Sequence, residues 1–192
     1  MEKGRLEAFT DGVIAVIITI MVLELKAPHE ATWQALLGDW HVFVSYVLSF
    51  VYVGIYWNNH HHMLHLTKHV NGKVMWANLF LLFCLSLVPF VTHWLNEAEP
   101  VPAPLPTALY GFVLLMSALA WIPLSRSLIA ANGGESGALA RALGADWKAR
   151  ISLLIYAAAI VLAFFVPIVA CVLYASVAAM WLIPDRRIER TI

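Results

Sequence analysis

Six apolar stretches, each near the ~20 residues a helix needs to cross a hydrocarbon core, take up most of this 192-residue sequence. They run near 6–26, 40–62, 73–95, 107–131, 148–166 and 168–184. The chain is 61% hydrophobic and only 12% charged, about half the charged fraction of an average soluble domain. The fold this predicts is an all-α integral membrane protein, a single six-helix transmembrane domain over 1–192. Little chain is left for a soluble domain beside it. Pro167 divides the last two spans and makes them a tight helical hairpin. No internal repeat is evident, whereas many transporters carry two related halves.

The charges are unevenly placed. Lys3 and Arg5 precede the first span, Lys68 and Lys73 lie in the second connection, Arg126, Arg141, Lys148 and Arg150 belong to the fourth, and Arg186, Arg187 and Arg190 to the tail. In a six-span scheme these eleven of the twelve cations share one side, and only Lys26 falls on the other. Excess Lys and Arg marks the cytoplasmic side, so both termini are expected in the cytoplasm, with the chain multi-pass in the cell (inner) membrane. Net formal charge is zero, which points to no nucleic-acid partner. Cys84 and Cys171 fall inside spans and read as small buried residues. LELKAPHE, after the first span, lacks the small-x-small pattern of a signal-peptide cleavage site.

The connections differ in character. The second, near His60 to Lys73, is rich in histidine. The third, NEAEPVPAPLP, is acidic and proline-rich and is predicted to be short, stiff and extended. The fourth, ANGGESGALARALGADWKAR, opens with glycines and turns helix-like, predicting a loop with a short surface helix. Trp33, Trp40 and Trp94 mark one membrane boundary and Trp57, Trp76, Trp147 and Trp181 the other, as an aromatic belt does.

Asp11 stands near the head of the first span, in RLEAFTDGVIAVIITIMVLEL. A carboxylate at a membrane helix centre costs roughly 2.5–3.5 kcal/mol on insertion scales and faces protein or water rather than lipid. With Arg5 nearby, it predicts a polar anchor that orients the helix. At ~100° per residue, Val16, Ile20 and Leu23 share a narrow arc, Thr19 borders it, and Thr10 and Asp11 point away. Such an aliphatic stripe suits lipid, core packing or a pore wall, and periodicity alone favours the first two.

The run Arg5-xxx-Phe9-Thr10-Asp11 resembles the Arg-xxx-Phe-Ser-Asp signature of the endosomal and lysosomal potassium channel family, transmembrane protein 175, and its prokaryotic relatives. Thr10 keeps the signature hydroxyl and adds a methyl. Tyr56-Trp57-Asn58-Asn59-His60-His61 is similar to the end of that family's second span. Asn78-Leu79 and Leu87-Val88-Pro89-Phe90-Val91-Thr92 are similar to its third. The resemblance covers the first ~95 residues, and three motifs occur in the same order on the same spans. It implies a homotetramer in lipid with one central pore lined by helix 1 of each subunit. The constriction would be a ring at Val16, five residues after Asp11, or at Ile20, with Leu23 a further ring and Thr19 a hydroxyl layer beside it. The permeant ion would be K⁺, held near Thr19, with no cofactor and no bound metal. Like that family, the sequence lacks a TVGYG filter. Glu24 would sit at the outer mouth, where a carboxylate concentrates cations, or would be a solvated helix end.

An aliphatic ring conducts by wetting and blocks by dewetting, so selectivity is expected to be modest. Asp11 is expected to accept hydrogen bonds from His60 or His61, Trp57 or Asn78. Arg5, six residues from Asp11, cannot pair with it along one helix face and is expected to bend toward another span or subunit.

His60, His61, His62, His65 and His69 are densely spaced, with three of them every fourth residue. One reading is a set of metal ligands or, with Asp11, the relay of a proton or metal-ion transporter. Another is a pH-responsive junction. An enzyme is not expected: no serine–histidine elbow is present, and His29, His41 and His93 lie a membrane thickness away from the cluster.

Overall fold

The computed structural model describes residues 2–143 and 147–182. Arg186, Arg187 and Arg190 lie outside the described residues. The described chain forms α1 (Lys3–Leu23), α2 (Trp33–Gly38), α3 (Trp40–His65), α4 (Gly72–Ser86), α5 (Val88–Glu97), α6 (Pro104–Ala131), α7 (Ala138–Leu143), α8 (Trp147–Leu162) and α9 (Pro167–Leu182), with one 3₁₀ turn at Gly134–Ser136. Among the described residues four segments are long and apolar enough to cross a membrane: α1, α3, α4 with α5 taken together over Gly72–Glu97, and α6. α8 and α9 have 16 residues each, about 24 Å at 1.5 Å per residue. They pack as a hairpin across the turn before Pro167.

The third expected span is not one helix. It breaks at Leu87, which separates α4 from α5, and Pro89 stands in the first turn of α5. Proline has no N–H and fits best in a helix's first turn, and here the chain restarts a helix around Pro89, whereas Pro123 stands inside α6. Hydroxyls bond the backbone on both sides: Ser86 donates to the Phe83 carbonyl (2.7 Å) and Thr92 to that of Val88 (2.7 Å). The sequence reading also passed over α2, a single short helix inside the first connection. Thr32 caps it, its hydroxyl accepting from the Ala35 N–H at 3.2 Å. Pro104 and Pro106, expected in an extended segment, open α6 instead. The short surface helix expected in the fourth connection is present as α7.

α6 is the central post and packs on α4, α5, α8 and α9. Leu114, Leu124 and Leu128 are buried along it. At Gly111 the missing side chain admits a ring: the Tyr174 hydroxyl of α9 occupies the space a Cβ would fill. That hydroxyl donates to the Thr107 carbonyl at 3.2 Å. At one end of the bundle Asn132 ties the α3–α4 connection to α6. Its side-chain oxygen accepts from the Lys68 and His69 N–H groups (2.7 and 2.8 Å), and its amide donates to the His69 and Leu128 carbonyls (3.0 and 2.9 Å).

Overfilling a close-packed site costs roughly 1–3 kcal/mol. Gly111→Ala is therefore expected to lower the midpoint of thermal unfolding in detergent, and Gly111→Leu to lower it further. An unchanged midpoint for both would show that α9 is not seated on α6 at this point.

Candidate functional site

α1 presents two faces. Leu6, Thr10, Ile14, Ile17 and Met21 recur at three- and four-residue spacing and are buried against α3, α4 and α5. The other face carries Val16, Ile20 and Leu23, which are 55%, 42% and 80% exposed on the single subunit. Thr19 is exposed beside them and donates its hydroxyl proton to the Val16 carbonyl at 2.9 Å. Its oxygen lone pairs are left to face outward.

A polar seam fixes which face is which. Asn78 of α4 donates its amide to the Thr10 hydroxyl (2.9 Å), and its carbonyl oxygen meets His60 Nε2 of α3 at 2.9 Å. All three residues are fully or almost fully buried. One amide thus joins three helices, and both of its ends are used. His60 donates in the tautomer that satisfies this oxygen.

Asp11 meets one of its expected donors, Trp57, but not in the interior of the subunit. It is exposed on the subunit and accepts a bond from Trp57 Nε1 at 2.9 Å. The other expected donors bond elsewhere: Asn78 to Thr10, His60 to Asn78, and His61 Nδ1 to Glu7 Oε1 at 3.4 Å. The reason is angular. Residues 10 and 11 differ by ~100° around the helix, so only one of them can face α4. Thr10 takes the interior and Asp11 the perimeter. Glu7 and Asp11 on α1 therefore oppose His61 and Trp57 on α3, whose rings stack at 6.1 Å. They form a lateral polar ladder on the outside of the subunit.

Arg5 does not turn toward another span of its own subunit. α1 runs unbroken through it, and its side chain is exposed on the same face as Phe9, Val16 and Leu23. It forms no ion pair among the described residues. Phe9 is 52% exposed and borders a groove of about 770 Å³ between α1 and the α4–α5 break, together with Val16, Ile20, Pro89, Phe90 and His93.

At the other end of α1, Glu24 is not a free helix end. Its carboxylate meets His93 Nδ1 of α5 at 3.0 Å. Next to it Lys26 bonds Glu97 at 2.7 Å, and this hydrogen bond and charge hold the lysine pKa above its ordinary value. The ends of α1 and α5 are thereby joined. At the opposite end Lys3 donates to the His65 carbonyl at 3.4 Å.

The histidines do not converge. α3 stops at His65, so His69 lies off the helix, where its backbone is held by Asn132. The expected four-residue ladder of imidazoles therefore breaks at its last step. Among the described residues no three His, Cys, Asp or Glu side chains are grouped to hold a metal. Trp76 is exposed, and Cys84 and Cys171 are free thiols.

A buried polar group left without its partner costs about 1–3 kcal/mol. Asn78→Leu orphans both Thr10 and His60, so it is expected to destabilise the subunit more than Thr10→Val, which removes one partner only. Thermal unfolding in detergent checks the order, and equal midpoints would show that Asn78 is not the junction.

A family model described as endosomal/lysosomal potassium channel TMEM175 matches residues 5–89, the stretch holding α1, α3, α4 and the α5 proline. A protein of a Chryseobacterium species named as a potassium channel is 48% identical over 192 residues, covering 100% of this chain and 98% of that protein. A second, from Streptomyces collinus and also named a potassium channel, is 36% identical over 136 residues, 66% of each chain. In structure, the chain is similar to the crystal structure of a lysosomal potassium-selective channel TMEM175 homologue from Chamaesiphon minutus. The TM-score is 0.81, over 94% of this chain and 96% of that one, at 24% identity. That last likeness is one of fold. With a full-length relative at 48% identity, and the signature residues Thr10 and Asp11 held in the seam and the ladder beside α1, the chain belongs to the TMEM175 family.

Proposed function

We propose that the chain is a potassium-permeable cation channel whose ion path is lined by the exposed stripe of α1. The observation that carries this is the orientation of α1: its polar seam is locked inward and Val16, Thr19, Ile20 and Leu23 face out of the subunit. The names of its two bacterial relatives agree with it. One subunit cannot encircle a pore with a single helix, so the walls must come from symmetry-related copies, and a homotetramer places four α1 stripes around one axis. The lateral ladder of Glu7, Asp11, Trp57 and His61 supports assembly. Charged groups within a membrane protein seek protein or water, and a neighbouring subunit would cover them.

In this reading all six apolar segments span the membrane as a single domain. α8 and α9 do so with help from their flanking residues, and both termini are cytoplasmic in the cell membrane. That places Glu24 and Lys26 outside and Lys3 and the His60–His69 region inside. Aliphatic rings at Val16 or Ile20 gate by dewetting. They provide no ligands to replace an ion's water, so preference for potassium rests on its lower dehydration cost, assisted by the Thr19 oxygen. K⁺ is the cargo, and no cofactor takes part. Glu24 concentrates cations at the mouth to the extent that His93 leaves its charge uncompensated.

The rival is a proton or metal-ion transporter relaying through Asp11 and the His60–His69 cluster. The dispersal of those side chains, His60 on Asn78, His61 on Glu7 and His69 in a loop, gives it little support. Asp11→Asn separates the two: transport through a relay stops, whereas a channel keeps its unitary currents.

Val16→Asn and Ile20→Asn are expected to hydrate the constriction, raising unitary conductance several-fold and eroding the potassium over sodium preference. Recordings in planar bilayers read both, and unchanged permeation in the two variants would remove these residues from the path. Asp11→Ala is expected to reduce the tetramer fraction on size-exclusion chromatography with the subunit still folded. A fully stable tetramer would contradict the role given to the ladder.

A further inference from the structure

The inward face of α3 is polar along most of its length. Ser45, Ser49, Tyr52, Tyr56 and His60 recur at four- and three-residue spacing. Four of them are paired: Ser45 with Asn96, Ser49 with Thr92 and Tyr110, Tyr52 with the Tyr174 carbonyl, and His60 with Asn78. Tyr56 is the exception. Its hydroxyl has no hydrogen-bond partner among the described residues, and neither has the amide of Asn59, three residues on. Neither group is sealed inside the protein. Both line the same cavity.

That cavity, of about 40 Å³, lies between α3 and the α8–α9 hairpin, with Trp121 of α6 as a wall. Tyr52 and Tyr156, their rings 6.4 Å apart, close it toward the middle of the bundle. Asn59, Trp121, Ala149 and Trp181 are only half-buried, so the other end reaches the surface. Five of its ten lining residues are aromatic, and no carboxylate, thiol or imidazole is among them, so it is no metal site. The rings are fixed in place. Trp181 donates its Nε1 proton to the Ser152 hydroxyl at 3.0 Å, and Trp121 meets the Tyr56 ring edge-on at 6.0 Å.

A box of ring faces with oxygen acceptors at its edge recognises an organic ammonium. The chain itself supplies an example, because the Lys148 ammonium stands 5.9 Å from the centre of the Trp181 ring. A primary ammonium brings three N–H donors, and the Tyr56 oxygen and the Asn59 carbonyl oxygen are acceptors without a donor. Size narrows the choice. A water-sized group needs ~10–15 Å³, so the cavity has room for about three, which is the nitrogen and two carbons of an aminoethyl group. A choline end has twice as many heavy atoms and overfills it. Position names the source. Tryptophans gather at membrane boundaries, and Trp57, Trp147 and Trp181 lie at this end of the bundle, which puts the cavity at headgroup depth. We propose that it binds the ammonium end of a phosphatidylethanolamine headgroup, one per subunit, from the leaflet at that boundary. The bound lipid satisfies Tyr56 and Asn59 and links α3 to α8 and α9 where side chains leave a gap. The inference needs a membrane-embedded bundle and is independent of where the ion path runs.

The test is native mass spectrometry of the full-length protein, stripped of lipid in detergent and then offered phosphatidylethanolamine, phosphatidylcholine or phosphatidylglycerol with the same acyl chains. Phosphatidylethanolamine is expected to bind about tenfold more tightly than the other two, at one molecule per subunit, the difference that one charge-assisted hydrogen bond makes. Tyr56→Phe keeps the ring and removes one acceptor, and Asn59→Ala removes the other. Each is expected to weaken phosphatidylethanolamine binding about tenfold and to leave the other two lipids unaffected. Neither variant breaks a hydrogen bond among the described residues, so both should unfold at the wild-type temperature without lipid and lose the rise that phosphatidylethanolamine gives the wild type. Equal binding of the three lipids, or unchanged binding in both variants, would overturn the proposal. So would displacement of the lipid by free ethanolamine at equal concentration, which would assign the cavity to a soluble amine. A wild-type protein that binds the lipid and passes no rubidium would count against the channel reading and leave this site standing.

Discussion

Everything about this subunit turns on how α1 is rotated about its own axis. In a membrane, apolar packing decides this weakly, because lipid tails are as apolar as leucine and either face of an aliphatic helix can meet them. Polar groups decide it strongly. The Asn78 amide bridges Thr10 and His60 in the interior. Turning α1 by one residue would part Thr10 from the Asn78 amide and leave those two buried groups without each other, at roughly 1–3 kcal/mol each, while the His60–Asn78 bond between α3 and α4 would remain. The stripe of Val16, Ile20 and Leu23 faces outward as the consequence of that seam.

The same seam explains the sorting of the signature residues. Thr10 is the inner anchor, and Asp11, one residue and ~100° further round, belongs to the perimeter with Trp57. Glu7 and His61 extend that perimeter contact by one turn. Acids and imidazoles thus run along one flank of the subunit, with an aliphatic stripe beside a broad groove on another. At the Glu24 end, the links to His93 and from Lys26 to Glu97 hold α1 to α5 where an ion path would open.

Much of this was legible from sequence. Apolar run length located the four described segments that are long and apolar enough to cross a membrane, because it measures their dominant property directly. The arc of Val16, Ile20 and Leu23 followed from helical period. The identity of the buried polar residue did not, since a carboxylate draws more attention than a threonine and periodicity gives no absolute direction. The break at Leu87 carried a signal, Pro89, that an unbroken apolar run concealed. α2 has six residues, too few for a periodic pattern. The polar face of α3 could have been found, because Ser45, Ser49, Tyr52, Tyr56 and His60 keep helical spacing. It was hidden by the apolar residues between them. The chain just past α3, at Lys68 and His69, is held by Asn132, more than sixty residues away in the sequence, and nothing local announces that contact.

Cysteine accessibility along α1 tests the orientation and its use together. Leu23→Cys and Ile20→Cys are expected to react with a charged, water-soluble thiol reagent applied from the Glu24 side, and the reaction should block current. Ile14→Cys and Met21→Cys, on the buried face, should stay unreactive in the same assay. Reaction at the second pair but not the first, or labelling of the first pair without any effect on current, would mean that the ion path runs elsewhere and that this face of α1 only meets lipid.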